Sequence, residues 1–264
     1  MAIPQLDSVK LIEHHYRTGE EPVLATCSDM NAYICKYMRT SLAAYKLVCE
    51  LVGSSMASFW NFASPDIAFV NIKQGHWPIG LQHSVNATSL GSKKIEGVID
   101  VNPSSICDIQ STDAVFQQLI TIALFDFWIA NEDRNANNAN LLYDVINSRF
   151  ISIDYGCILN TATFDYPLSQ LTSTDSILYS DLFRHLSAGR DCSTVDLSGL
   201  KDTYLHNVER CKLNVNGILS VLPVEWNVPH QVVGNKLTQL FAPEWIAGVW
   251  DNFVEQLKDN ISNG

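Results

Sequence analysis

Residues 113–130 are apolar on nearly every side. Val115, Phe116, Leu119, Ile120, Leu124, Phe125, Phe127, Trp128 and Ile129 leave no polar stripe for solvent. A run of this length reads as a helix, and a helix apolar all round must be surrounded by protein. Gln117, Gln118 and Asp126 interrupt it, and no apolar run reaches the length needed to cross a bilayer. The chain is therefore expected to fold around this helix. Its 264 residues, 47% hydrophobic, suit one bilobal domain or two small ones.

The segment leaving the helix carries the chemistry. It reads Asn131-Glu132-Asp133-Arg134-Asn135-Ala136-Asn137-Asn138-Ala139-Asn140-Leu141-Leu142, then continues to Ile153-Asp154-Tyr155-Gly156. An Asp is followed five positions later by an Asn, then by a short strand, a turn, and a second strand ending on Asp-Tyr-Gly. Phosphoryl transfer to a hydroxyl uses a carboxylate beside the attacking oxygen, with an amide oxygen and a second carboxylate to hold magnesium against phosphates. The Asp-x-x-x-x-Asn spacing is that of a protein-kinase catalytic loop. Alone it is weak, because Asp and Asn are common in turns and caps. Asp154 at a strand end and the buried helix upstream strengthen it.

Ahead of that helix, Gly19-Glu20-Glu21-Pro22 is a turn. Val23–Cys27 and Ala32–Met38 read as strands of a hairpin turned by Ser28-Asp29-Met30-Asn31. Residues 41–62 have helical spacing at Leu47, Val48, Leu51 and Val52, with Ser41 as the expected cap. Residues 67–72 form a short buried strand, and 73–112 are expected to be irregular. After the hairpin of 141–143 and 150–153 come a Thr-, Ser- and Asp-rich loop and helices over 176–187, 196–221, 229–241 and 243–259, the last opened by Pro243.

Composition narrows the function. A net charge of −11, with Lys93-Lys94 as the single basic pair, argues against nucleic-acid binding. Seven cysteines without a Cys-x-x-Cys read as buried free thiols rather than a disulfide framework or zinc site. His14, His15, His76 and His83 lack partners at metal-ligand spacing. The first residues carry no basic region followed by an apolar block, so the expected setting is cytoplasmic, with no membrane association. In that setting the sequon at Asn86 would go unused.

Taken in order, these features resemble the HipA-like kinases: a hairpin with Lys36, a helix with Glu50, the strand at 67–72, the buried helix, Asp133 and Asn138, then Asp154-Tyr155-Gly156. The resemblance covers most of the chain and is nearest to the compact members of that family. It implies an α+β, bilobal protein-kinase-like fold, with a small strand-rich N-lobe over residues 1–72 and a mainly helical C-lobe over 73–264. It implies ATP and Mg2+ as cofactors and a protein Ser/Thr hydroxyl as acceptor. Lys36 would hold the nucleotide phosphates and Glu50 would pair with it. Asp133 would be the base, Asn138 and Asp154 the metal ligands, and the backbone of Phe69, Val70 and Asn71 would face adenine. A regulatory partner protein is a further implication.

Alternatives remain at several positions. Lys36 by alternation shares a face with Ala32 and Ile34, either toward phosphate or toward solvent. Glu50 can pair with Lys36 or with Lys46 one turn before it. Arg134 either holds the loop through a carboxylate or phosphate, or lies exposed. The turn at residues 26–31 has no glycine, and its Ser28 is the expected phosphate contact. A lipid or small-molecule kinase and a nucleotide-binding pseudokinase are the competing functions. Residues 161–176 carry Asp165, Asp175 and several hydroxyls but no Lys or Arg, which favours a protein acceptor over an inositol phosphate.

Overall fold

The computed structural model describes residues 2–78, 81 and 87–262. Six strands form the N-terminal sheet: β1 (Gln5–Asp7), β2 (His14–His15), β3 (Val23–Thr26), β4 (Ala32–Lys36), β5 (Ile67–Asn71) and β6 (Ser89–Lys93). Their order is β1-β5-β6-β4-β3-β2. β1 runs parallel to β5 and the remaining pairs are antiparallel. Between β4 and β5 lies α1 (Ser41–Phe59), capped by Thr40 rather than Ser41, the Thr40 hydroxyl accepting from the Ala43 amide at 3.3 Å.

Residues 73–112 are not wholly irregular. They supply β6, a central strand of the sheet, and β7 (Ile99–Asp100). The N-terminal sheet thus draws on residues either side of position 72. β6 reads Ser-Leu-Gly-Ser-Lys, which has little intrinsic strand preference; pairing with both β4 and β5 makes it a strand.

Strand alternation sorts the sheet's faces. Val23, Ala25, Tyr33, Cys35, Ala68 and Val70 form a buried cluster on one side, closed by Trp77 packed edge-on against Tyr37. Ala32, Ile34 and Lys36 take the other face, toward the rest of the molecule.

That remainder is built on α2 (Asp113–Ile129), capped by Thr112 and buried along most of its length. Behind it come β8 (Leu141–Asp144) and β9 (Arg149–Ser152), which with β7 make a sheet of order β7-β8-β9. A short turn, α3 (Ile158–Ala162), precedes the helices α4 (Asp181–Ser187), α5 (Leu197–Leu219), α6 (His230–Gln239) and α7 (Pro243–Ser262). One core runs from α1 through α2 to α7, so α1 belongs as much to the helical half as to the sheet. No described helix is long and apolar enough to cross a membrane. The seven thiols are free, as expected, but Cys107 is exposed and Cys157 and Cys192 are only partly covered. His83 and Asn86 lie outside the described residues.

Gly53 on α1 lets this helix meet the strand end that carries Asp154. A Cβ there would collide with the Cβ of Tyr155 and stand 2.6 Å from its Cγ. Tyr155 is buried and has no room to retreat. Gly53→Ala is expected to lower stability by about 1–3 kcal/mol through overpacking, measured by urea unfolding. Gly19→Ala, with open space around the new methyl, is the control expected to leave stability within about 0.5 kcal/mol.

Candidate active site

The site begins where α2 ends. Ala130 closes the helix in the left-handed region at φ 52°, and the chain turns sharply into Asn131. Asn131 is fully buried and donates from Nδ2 to Asp126 Oδ1 at 2.8 Å. Arg134, also fully buried, pairs with the same Asp126 oxygen. Its other nitrogen donates to Ser152 Oγ at 2.7 Å and to the Ile153 carbonyl at 3.0 Å. The guanidinium lies 5.2 Å from the centre of the Tyr155 ring. Burial pushes the Asp126 carboxyl above its ordinary value, with Arg134 and Asn131 pulling it back. Of the two readings open for Arg134, the loop-holding one describes the molecule.

Between these anchors the loop is folded by its asparagines. Asn135 and Asn138 bridge through their main chains, and Asn135 Oδ1 accepts from the Asn137 amide at 2.9 Å. The loop brings two side-chain amides to one carboxylate oxygen: Asp133 Oδ2 accepts from Asn138 Nδ2 at 3.1 Å and from Asn140 Nδ2 at 2.8 Å. Asn140 also accepts from the Ile153 amide at 3.2 Å through its carbonyl, so it joins Asp133 to the strand end before Asp154. Asn140 thus touches Asp133 directly. The spacing Asp133-x6-Asn140 carries no recognisable signal for that.

Across the cleft Lys36 is the hub. Its ammonium pairs with Glu50, with Asp154 Oδ1 at 2.7 Å and with Glu20 Oε2 at 3.1 Å. Glu50 is buried and faces Lys36; Lys46 instead pairs with Glu20 at 2.9 Å. Burial disfavours the charge on Lys36, but Glu50, Asp154 and Glu20 outweigh it and hold its pKa well above the ordinary lysine range. Asp154 takes a left-handed conformation at φ 58° and keeps part of its side chain open to the cleft. Burial opposes its charge, yet Lys36 and hydrogen bonds hold it down to about 2. Burial pushes Glu50 up to about 7, Lys36 drawing it down and the Asp154 charge pushing it further up.

Two expected contacts lie elsewhere. Ser28 sits in the β3–β4 turn, whereas Lys36 lies at the far end of β4, beyond the pairing of Val23 with Cys35. The five residues from Asn31 to Lys36 span about 16 Å of strand. Ser28 accepts from the Asp7 amide at 3.3 Å instead. The loop beside Lys36 is 16–22, between β2 and β3, and it supplies Glu20. The main chains of Phe69 and Val70 are consumed by ladders to β1 and β6, and Asn71 pairs with Asp7 and donates to its side chain. They have no free edge for a ligand.

A free edge exists after β6. Residues 95–98 make no main-chain hydrogen bond to another described residue, and they border a cavity of about 440 Å³. Ile34, Leu142 and Ile153 line it with apolar surface, and Lys36, Glu50 and Asp154 with charge. Apolar walls, a free main-chain edge and a charged cluster suit a ligand with an apolar body and a polyanionic tail. No described group of three or more His, Cys, Asp or Glu residues has the arrangement of a metal centre. Asp154 and Asn138 instead offer one carboxylate and one amide oxygen, the hard donors that suit magnesium completed by water and phosphate.

The Glu50 shift has a measurable consequence. The folded state holds a proton on Glu50 that the unfolded state releases between about 4.5 and about 7, so this group's contribution falls as pH rises through that window. Asp154, held at about 2, loses its contribution only in acid below the ordinary aspartate range. Between pH 5 and 8 Glu50 is therefore the one of the two with a slope. Glu50→Gln is expected to remove a decline on the order of 2 kcal/mol across that range, read as the difference from wild type in urea unfolding at each pH. A constant difference from pH 5 to 8 would contradict the assignment.

The model of the HipA-like kinase family matches residues 9–243. No curated protein matches the chain at a significant level. Among solved structures, the Helicobacter pylori proinflammatory kinase CtkA is similar over 98% of this chain and 99% of its own, at 12% identity and a TM-score of 0.52. The open conformation of CtTel1 matches 91% of this chain and 11% of its own, at 12% identity and a TM-score of 0.35. The first likeness agrees with the bilobal kinase fold, and the family match spans nearly all of both lobes: the chain belongs to the HipA-like kinase family.

Proposed function

We propose that this kinase transfers the γ-phosphoryl group of ATP, with magnesium, to a Ser or Thr hydroxyl of a protein. The observation that carries the reading is the convergence of Lys36, Glu50 and Asp154 at one cavity, with Asp133 joined through Asn140 to the residue just before Asp154. The adenine would lie against Ile34, Leu142 and Ile153, with its edge on the free main chain of 95–98. Magnesium-ATP would supply the phosphoryl group and the positive charge that offsets its transfer.

The chain's own contribution is placement and proton handling. Lys36, oriented by Glu50, holds phosphate oxygens. Asp154, ionised at neutral pH, and the Asn138 carbonyl oxygen would hold the magnesium ion. The amide of Asn138 is taken up by Asp133, which leaves its oxygen free to ligate. Asn138 and Asn140 both engage Asp133 Oδ2, so the other oxygen of Asp133 is left to accept the proton of the acceptor hydroxyl as its oxygen bonds to phosphorus and ADP departs. The loop at 161–176 supports a protein acceptor: it has carboxylates but no Lys or Arg fork for a lipid phosphate. Thr161 and Asn160, where that loop starts, are tied to Glu132, next to the base. A reducing cytoplasm suits the free thiols.

Asp133→Ala is expected to keep the rise in melting temperature given by magnesium-ATP and to lose ATP turnover by on the order of a hundred- to ten-thousandfold. Asp154→Ala is expected to lose the magnesium-dependent part of that rise. Thermal shifts with ATP, with and without magnesium, paired with turnover assays on a basic protein, read both. No shift of the wild type with any nucleotide would overturn the nucleotide site. Full turnover by Asp133→Ala would overturn its role as base.

A further inference from the structure

Loop 16–22, which joins β2 to β3 over Lys36, is held down by its own acidic side chains. Glu21 turns back so that its amide meets the Thr18 carbonyl at 3.0 Å, at φ 47°. Its carboxylate stands 2.9 Å from Arg39 and 3.5 Å from His15. Glu20 reaches further in: Oε2 is 3.1 Å from Lys36 Nζ and Oε1 is 2.9 Å from Lys46 Nζ. A Cβ on Gly156 would stand 3.3 Å from Glu20 Oε1, 3.3 Å from Glu50 Oε1 and 3.6 Å from Asp154 Oδ1, so three carboxylates converge on one point. Beside this cluster a cavity of about 430 Å³ is bordered by Gly19, Lys36, Arg39 and Lys46.

Two ammonium groups here face three carboxylates. Glu50 approaches from α1 and Asp154 from the end of β9, both fixed by the core. Glu20 alone comes from a loop, whose residues 17–19 are exposed. Its two oxygens occupy two lysine nitrogens, as two oxygens of a phosphate would. A phosphate chain reaching Lys36 would meet the Glu20 carboxylate at close range, and like charges in a partly desolvated cleft repel strongly. Glu20 and a phosphate therefore compete for the lysine.

We infer that Glu20 is a built-in occupant of the phosphate subsite: nucleotide enters as loop 16–22 lifts Glu20 off Lys36 and Lys46, and Glu20 thereby sets nucleotide affinity. This rests on the nucleotide reading of the cleft. On lifting, Lys46 becomes a second cation for the phosphates. A Glu20 that merely steadied Lys36, as Glu50 does, would have the opposite effect on affinity when removed.

Titration calorimetry of wild type, Glu20→Gln and Glu20→Gln/Lys46→Met, each with magnesium-ATP and with adenosine, separates these cases. Glu20→Gln is expected to bind magnesium-ATP about fivefold to tenfold more tightly, the release of two partly exposed ion pairs, and adenosine with unchanged affinity. Adding Lys46→Met is expected to reverse much of that gain. Unchanged or weaker ATP binding by Glu20→Gln, with the wild type still binding, overturns the inference while the nucleotide site stands. Equal tightening toward adenosine overturns it too, since adenosine has no phosphate to compete. Failure of both wild type and Glu20→Gln to bind either ligand overturns the nucleotide reading itself, and this inference with it.

Discussion

The buried pair of Arg134 and Asp126 is the junction on which the active site hangs. Asp126 sits within a helix that is otherwise apolar, and Arg134 comes from the loop that leaves it. From there the guanidinium reaches Ser152 and the Ile153 carbonyl, one residue before Asp154, and lies over Tyr155. One side chain thus joins the central helix, the loop that carries Asp133 and the strand end that leads to Asp154. A buried ion pair is seldom a net stabiliser, because desolvation cancels much of the attraction; its removal in halves is costly because a lone charge remains. Its value here is geometric. It holds Asp133 and Asp154, twenty-one positions apart, to one rigid core.

Charge organises the opposite wall. Glu50, Asp154 and Glu20 all claim Lys36. In a chain of net charge −11 such a lysine is a scarce resource, and its occupation by a loop carboxylate couples loop position to the occupancy of the cleft. A rigid pair of carboxylates from α1 and β9 fixes the lysine's direction, and a third from the loop can come and go. The Gly53 contact with Tyr155 sets how closely α1 can approach, and with it where Glu50 stands.

Much of this was legible before the structure. The Asp133, Asn138 and Asp154 spacing, the lysine hairpin, the glutamate helix and the all-round apolar helix are local patterns, and local patterns survive as sequence signals. What escaped was non-local. β1 pairs with β5 across 64 positions, and β6 becomes a strand through its neighbours rather than its Gly- and Ser-bearing composition. Ser28 is near Lys36 in the chain, but in an antiparallel hairpin the turn before a strand lies at the opposite end from that strand's last residue. Phe69 and Val70 are buried between β1 and β6, and because β6 carries no strand signal of its own, nothing local shows that their main-chain groups are paired; Asn71 lies exposed at the end of β5. Glu20 read as a turn residue because no spacing rule links it to Lys36; only the folded loop brings them together.

Arg134 and Asp126 align the site as well as holding the fold. The most direct test replaces both at once, as Asp126→Leu/Arg134→Met, and measures the dissociation constant for magnesium-ATP beside the melting temperature. An apolar pair of similar volume leaves no lone charge, so the variant is expected to stay folded with a lowered melting temperature, since Asn131, Ser152 and the Ile153 carbonyl lose partners, while magnesium-ATP affinity of the folded protein falls at least about tenfold because Asp154 and the loop lose their common anchor. A double variant that binds magnesium-ATP as tightly as the wild type would contradict the account.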